Sequence, residues 1–307
     1  MSPDADPTEP DAGADAAAPL DTAYAYCADQ VRTADRDRFL SVLFAPEDRR
    51  RHLLALYAFS LDVARVREMV REALPGEVRL AWWREVIEGQ GRGAVEGHPV
   101  AAALMDTVER FALPRRTLIA LVDARIFDLY DDPMPALADL EGYAGETASA
   151  LLQLSALVLE PQVAARAGDL SGHAGVAIAM TGLMRAFPIH AARGQCYLPL
   201  DILARHGIDR AEAVSGTLTP QLTAALADWR AEARRHLAAA RAAAGAVGSS
   251  TAAIAAPYLP LALVEGDLKT LARVSDPFRE LAGLSRLRRQ FALWRAARRA
   301  GAGKIWF

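Results

Sequence analysis

Between Pro46 and Arg71 the chain reads PEDRRRHLLALYAFSLDVARVREMVR, and from Leu53 to Val66 it is apolar on most faces of a helix. A helix with one apolar stripe can lie on a surface, but one that is apolar nearly all round must be enclosed by other elements. Its start is well marked. Pro46 stands in the first turn, where a missing N–H costs nothing, and Glu47 and Asp48 sit at the positive end of the helix dipole. This helix belongs at the centre of the fold.

The remaining sequence supplies elements of one kind to enclose it. Ala and Leu abound, β-branched residues are dispersed, and apolar positions recur at three- and four-residue spacing. The pattern predicts further helices over residues 22–33, 36–44, 77–90, 99–111, 115–130, 136–159 and 172–187. Others follow at 199–206, 209–215, 219–245, 251–264 and 277–300, with breaks at Leu74-Pro75-Gly76 and Asp132-Pro133-Met134-Pro135. With no tandem repeat and no interior linker, residues 21–307 read as one all-α domain. Residues 1–20, rich in Pro, Asp and Ala, read as a disordered acidic tail that buries too little apolar surface to fold. They have no basic segment followed by an apolar core, so they are not expected to be a secretory signal.

Composition narrows the function classes. The 307 residues are 52% hydrophobic and 24% charged, enough for a sizeable core. No uncharged apolar run reaches the roughly 18 residues of a membrane span. Cys27 and Cys196 form no disulfide framework or metal-ligand spacing and read as small hydrophobes. A net charge of −3 without a known module argues against nucleic acid. That charge is unevenly spread: residues 1–21 carry six acids and no base, and residues 281–307 carry seven bases and no acid. The bases alternate with Leu284, Leu287, Phe291, Leu293 and Trp294. Such a run suits an anionic membrane surface, a partner protein, or a packed terminal helix with a solvated basic face.

The segments FLSVLFAPEDRRRHLLALYAF, RLAWWRE and RAFPIH…RGQCYLP, in this order and spacing, resemble the squalene/phytoene synthase family. Tyr57-Ala58-Phe59 precedes the position of the family's first aspartate-rich motif, and Arg79–Arg84 matches its Trp-Trp-Arg helix. Arg185 opens the second motif, which Arg193-Gly194 and Tyr197-Leu198-Pro199 close. The resemblance implies an isoprenoid synthase-like fold, a single helical bundle around a central cavity. It also implies head-to-head joining of two isoprenoid diphosphates, with Mg²⁺ held by carboxylates on two facing helices to neutralise the developing charge.

Laid on this chain, the first motif's aspartate positions are Ala64, Arg65 and Glu68, and the second's are Ala186 and His190. One carboxylate, Glu68, stands where five aspartates are expected. Asp62 cannot replace them, because two helical residues place it about 160° round from Ala64. Arg65 puts a fixed positive charge where the cation would sit, a repulsion of roughly 4 kcal/mol at 4 Å and an effective dielectric of about 20. Pro188 removes a helical N–H between the second pair.

Arg-Ala-x-Pro-x-His followed by Leu-Pro, with Gly142–Leu154 and Leu198–Gly207, resembles a non-catalytic branch of the family. That branch is represented by an assembly factor for respiratory complex I and its bacterial relatives. The resemblance therefore implies a pseudoenzyme whose partner is a complex I subunit or assembly intermediate. The alternatives are an active isoprenoid diphosphate transferase, which would need Mg²⁺, and a module binding a prenyl or phospholipid ligand.

The expected remnant of the site is an apolar cavity lined by Tyr57, Ala64, Arg65, Glu68, Arg185, Ala186, His190, Arg193 and Tyr197. Arg65 and Arg185 stand at its mouth, with no catalytic residue and no metal. His190 has no second His or Cys at ligand spacing and is expected to be hydrogen-bonded at a helix end. Arg65 suits either a phosphate group or a pairing with Glu68. Of Trp82 and Trp83, about 100° apart on their helix, one should face the core and the other a neighbour. The expected location is cytoplasmic, with residues 284–307 as a peripheral contact to the inner membrane.

Overall fold

The computed structural model describes residues 12–90, 97–130 and 132–307, with side chains from Leu20 onward. Among the described residues the regular structure is entirely helical. The first half holds α1 (Ala12–Ala34), α2 (Arg36–Val42), α3 (Glu47–Met69), α4 (Ala73–Glu88), α5 (Pro99–Arg110), α6 (Arg115–Ala124), α7 (Leu137–Ala144) and α8 (Ala150–Leu159). The second holds α9 (Pro161–Ala164), α10 (Gly168–Arg185), α11 (Phe187–Ala192), α12 (Leu200–Arg205), α13 (Arg210–Ala213) and α14 (Pro220–Val247). It closes with α15 (Ala255–Tyr258), α16 (Leu261–Leu271) and α17 (Arg286–Gly301).

Two helices organise the rest. On α3 every residue from His52 to Ser60 is buried, so all its faces are covered, as its sequence requires. It packs against α1, α2, α4, α5 and α8. Helix α10 packs against α14, α16, α7 and α8, and α8 joins the two groups. The buried side chains form one continuous core from Ala23 to Trp306. At Gly175 of α10 a methyl group would lie 2.3 Å from the backbone nitrogen of Ser149, so only glycine allows this approach.

Several boundaries differ from expectation for physical reasons. Part of the acidic tail, residues 1–11, lies outside the described residues, and α1 begins at Ala12 rather than near residue 22. Leu74-Pro75-Gly76 lies within the first turn of α4 instead of breaking the chain, because proline there forfeits no helical hydrogen bond. The predicted helix 115–130 tightens to a 3₁₀ turn over Arg125–Leu129, and 136–159 contains a π turn over Gly145–Ser149. The final helix starts at Arg286, not 277. Upstream of it the backbone N–H groups of Asp276, Phe278 and Leu284 donate to the carboxylates of Glu280, Asp276 and Asp267. Side-chain acceptors at such positions compete with helix formation.

No single described helix is long and apolar enough to cross a membrane; segments 220–258 and 261–271 reach that composition only jointly, across a 60° bend.

Candidate functional site

The ends of α3 and α11 meet. Glu68 Oε1 lies 4.0 Å from Arg193 Nη1, so the one carboxylate at the motif positions faces a guanidinium on the opposite helix. Arg65 does not pair with Glu68; its Nη1 donates to Gln30 Oε1 on α1 at 3.3 Å. Ala64 and Ala186 bring no donor atom. Helix α10 stops at Arg185, and α11 restarts the chain with Pro188 in its first turn, although the N–H of His190 still donates to the carbonyl of Ala186 at 3.0 Å.

His190 corrects its expectation: no described residue hydrogen-bonds its side chain, and its ring packs on Tyr197 with centroids 4.7 Å apart. Burial pushes its pKa down to about 4, with Asp128 opposing and Arg193 adding to the shift, so it is neutral at pH 7. Asp62 points away as argued, 3.6 Å from His98, in a separate cleft lined by Trp82, Trp83 and Arg79. Trp83 is buried and Trp82 half-buried, matching their angular offset.

Beside His190 lies a buried polar knot. The 3₁₀ turn eclipses residues three apart and so sets Arg125 beside Asp128, with Nη1 donating to Oδ2 at 3.0 Å. The Asp128 carboxylate also accepts from Tyr143 at 2.9 Å and from Tyr197 at 2.7 Å. Tyr197 in turn accepts from Gln195 Nε2 at 2.8 Å, and Tyr143 from Arg125 at 2.7 Å. Burial above all, then the Asp128 charge, raises the Tyr197 hydroxyl far beyond its ordinary range. Burial likewise raises Tyr143 despite the opposing Arg125 charge. Burial opposes the Arg125 charge, but Tyr143 and Asp128 outweigh it and hold the group ionised. Three side chains, Arg125, Tyr143 and Tyr197, donate to the Asp128 carboxylate.

The third part of the site lies along the C-terminal end of α10. A cleft of about 200 Å³ is lined by Asp35, Arg38, Thr181, Arg185, Asp267 and Arg289, among others. Tyr57 lies behind it, fully buried, with Arg38 over its ring at 5.3 Å. Arg289 from α17 bridges Asp37 at 2.5 Å and Asp267 at 2.8 Å, and Arg185 stands 3.9 Å from Asp267. An adjoining cleft adds Arg32, Arg36 and Arg286. The nine expected cavity residues thus fall into separate groups, and of them Arg185 alone lines either of these two clefts. Asp35, Asp37 and Asp267 are paired, while the two clefts together carry an excess of arginine.

Sequence reasoning missed Asp37, Asp267, Arg289, Asp128 and Tyr143. One signal was present for Asp267: it follows the apolar run LPLALV and is one of two acids in LPLALVEGDL, 2% exposed once folded. An acid placed among leucines needs a buried partner.

Residues 31–295 match the family model described as squalene/phytoene synthase. The chain belongs to the squalene/phytoene synthase family. Within it, the chain is 30% identical over 250 residues to the rat NADH dehydrogenase (ubiquinone) complex I, assembly factor 6, covering 81% of this chain and 74% of that one. It is 28% identical over 172 residues to the presqualene diphosphate synthase of Rhodopseudomonas palustris, covering 55% and 60%. A crystal structure of a dehydrosqualene synthase in complex with ligand superposes with a TM-score of 0.71 at 17% identity, over 91% of this chain and 96% of that one. The isoprenoid synthase-like all-α fold follows from that match.

The Mg²⁺ associated with synthases of this family does not fit the residues present. Mg²⁺ requires a near-octahedral set of hard oxygen donors. At the motif positions the facing helices offer one side-chain carboxylate, Glu68, 4.0 Å from Arg193, and the fixed cation Arg65 stands one turn before it. Among the described residues, no group of three or more His, Cys, Asp or Glu side chains could hold a metal ion.

Proposed function

We propose that this chain is a non-catalytic member of the squalene/phytoene synthase family that serves the assembly of respiratory complex I, binding a subunit or an assembly intermediate. The pairing of Glu68 with Arg193 carries the reading. Ionising an allylic diphosphate needs concentrated positive charge beside the leaving group, and here the one carboxylate at the motif positions faces a guanidinium 4.0 Å away. The similarity to a protein named as a complex I assembly factor, over four-fifths of this chain, supplies the direction. No cofactor is required. The location that fits is the cytoplasm, with peripheral contact at the inner membrane, and the clefts around Arg185 remain open to a prenyl or phospholipid ligand.

Deleting the gene and measuring NADH:ubiquinone oxidoreductase activity and isoprenoid content tests this. Loss of complex I activity with unchanged isoprenoids is expected. The reverse result would instead favour a transferase, the activity named for the Rhodopseudomonas relative.

A further inference from the structure

The terminal helix α17 has two unlike sides. Its inner side is fixed: Leu293, Ala296 and Ala300 are buried, and Arg289 is tied to Asp37 and Asp267. The helix cannot roll about its axis without breaking these contacts. Its outer side therefore stays outward, and that side carries Leu287, Phe291 and Trp294 at 79%, 60% and 46% exposure. Spaced four and three apart, these residues form one stripe.

Bases flank the stripe. Arg288, Arg295 and Arg299 lie along one edge by helical angle and Arg286 along the other, while Arg298 sits over the Trp294 ring at 5.2 Å. None of these five arginines forms an ion pair with a described residue, and residues 281–307 contain no acid. Beyond Trp294, Phe44 at the end of α2 is 47% exposed. With Ala297, Ala300 and Gly301 it lines an alanine-rich cleft of about 400 Å³. The nearest acids in sequence to Phe44 are Glu47 and Asp48, and Asp48 is paired with Arg49 at 3.2 Å.

We infer that this face docks on the surface of an anionic phospholipid bilayer, with Leu287, Phe291 and Trp294 immersed among the headgroups and the arginines on the phosphates. An apolar stripe edged by cations along a helix of about 24 Å is the geometry that interfacial binding rewards. A second copy of the chain is a poor occupant, because a twofold contact would set five unpaired guanidiniums against five more. The inference deepens the peripheral location proposed above and rests on it for its biological setting.

The structure also corrects which residues do this. Of the run 284–307, Leu284 packs against Gly266, Leu293 and Trp306 are buried, and Arg289 points inward. Truncating the run would therefore damage the core, whereas substitutions on the outer stripe leave it intact.

The test is co-sedimentation of the full chain with vesicles of phosphatidylcholine, alone or mixed with phosphatidylglycerol. Binding is expected only to the mixed vesicles, with release by salt. Phe291→Ser/Trp294→Ser should lower partitioning by about tenfold and Arg288→Gln/Arg295→Gln/Arg298→Gln by about a hundredfold, both with unchanged thermal unfolding. Brominated lipid should quench tryptophan emission in the wild type and much less in Trp294→Phe. Wild-type protein that stays in the supernatant with anionic vesicles at low salt would overturn the inference, as would undiminished binding by the aromatic double variant. If vesicles are ignored while the same variants block complex I assembly in cells, the face serves a protein and the lipid assignment fails. A deletion that leaves complex I intact would remove the proposed function but not the vesicle result.

Discussion

Arg289 donates from Nη1 to both carboxylate oxygens of Asp267, each at 2.8 Å. Asp267 is 2% exposed, and it reaches this state on α16 only because a base from the end of the chain folds back over it. The same arginine satisfies Asp37 on α2, so one guanidinium joins three helices.

Removing it should be costly. Arg289→Ala leaves the buried Asp267 carboxylate with the N–H of Leu284 and the more distant Arg185. The expected loss is about 3 kcal/mol, at the lower edge of what breaking a buried pair costs. Urea unfolding monitored by circular dichroism measures it, and Arg289→Lys should recover only part, since an ammonium cannot bridge two carboxylates in the same fork.

Catalysis should be absent. Purified protein given farnesyl or geranylgeranyl diphosphate with Mg²⁺ and NADPH should release no head-to-head product and no diphosphate above background. Product formation that Glu68→Gln abolishes would restore the transferase reading.

Acid should weaken the fold through His52. Tyr24 donates its hydroxyl hydrogen to Asp106 and Thr107 donates its own to the Ala103 carbonyl, so Nδ1 of His52 is the donor toward both oxygens. Nε2 is buried without a partner. Burial, helped by Arg51, lowers the pKa from 6.5 to about 4. The unfolded chain therefore binds the proton first, and stability falls as pH drops through 6.5 toward 4. Between pH 7 and pH 5 this one group costs about 2 kcal/mol, and His190 adds to it with the same sign. Denaturant midpoints at the two pH values should move closer together in His52→Gln, with the His190 share remaining; an unchanged difference would refute the assignment.

Two glycines on α10 should behave oppositely. Gly175→Ala forces a methyl into the backbone of Ser149 and should prevent α10 from seating, with loss of soluble protein or a large fall in melting temperature. Gly172, three residues earlier, has open space around it, and Gly172→Ala should stabilise by up to about 1 kcal/mol. Thermal melts of the two variants decide it.

How much the sequence revealed depended on how local the cause was. The α3 helix was legible because being apolar all round has one physical solution, and Trp82 and Trp83 were legible from helix geometry. Arg65 was not: its partner Gln30 comes from a helix whose placement no local pattern encodes, and Glu68 likewise finds Arg193 across the bundle. The Asp128 knot stayed hidden because its members come from three segments, joined by a 3₁₀ turn that helical periodicity does not distinguish from an α-helix. The terminal run was legible as apolar residues interleaved with bases. Which of its apolar residues face outward could be settled only by knowing where Arg289 is anchored.

The reach of Arg289 also bears on how the protein is made. Asp37 and its partner are separated by 252 positions. At about 5–20 residues per second on the ribosome, tens of seconds pass between their synthesis. Throughout that interval Asp37 on α2 has no countercharge from α17, and Asp267 on α16, 22 residues before Arg289, lacks it for the final few seconds. The bundle can therefore seal this end only after nearly the whole chain has been translated, which makes the last helix the latch of biogenesis and a stalled nascent chain the form most exposed to misfolding.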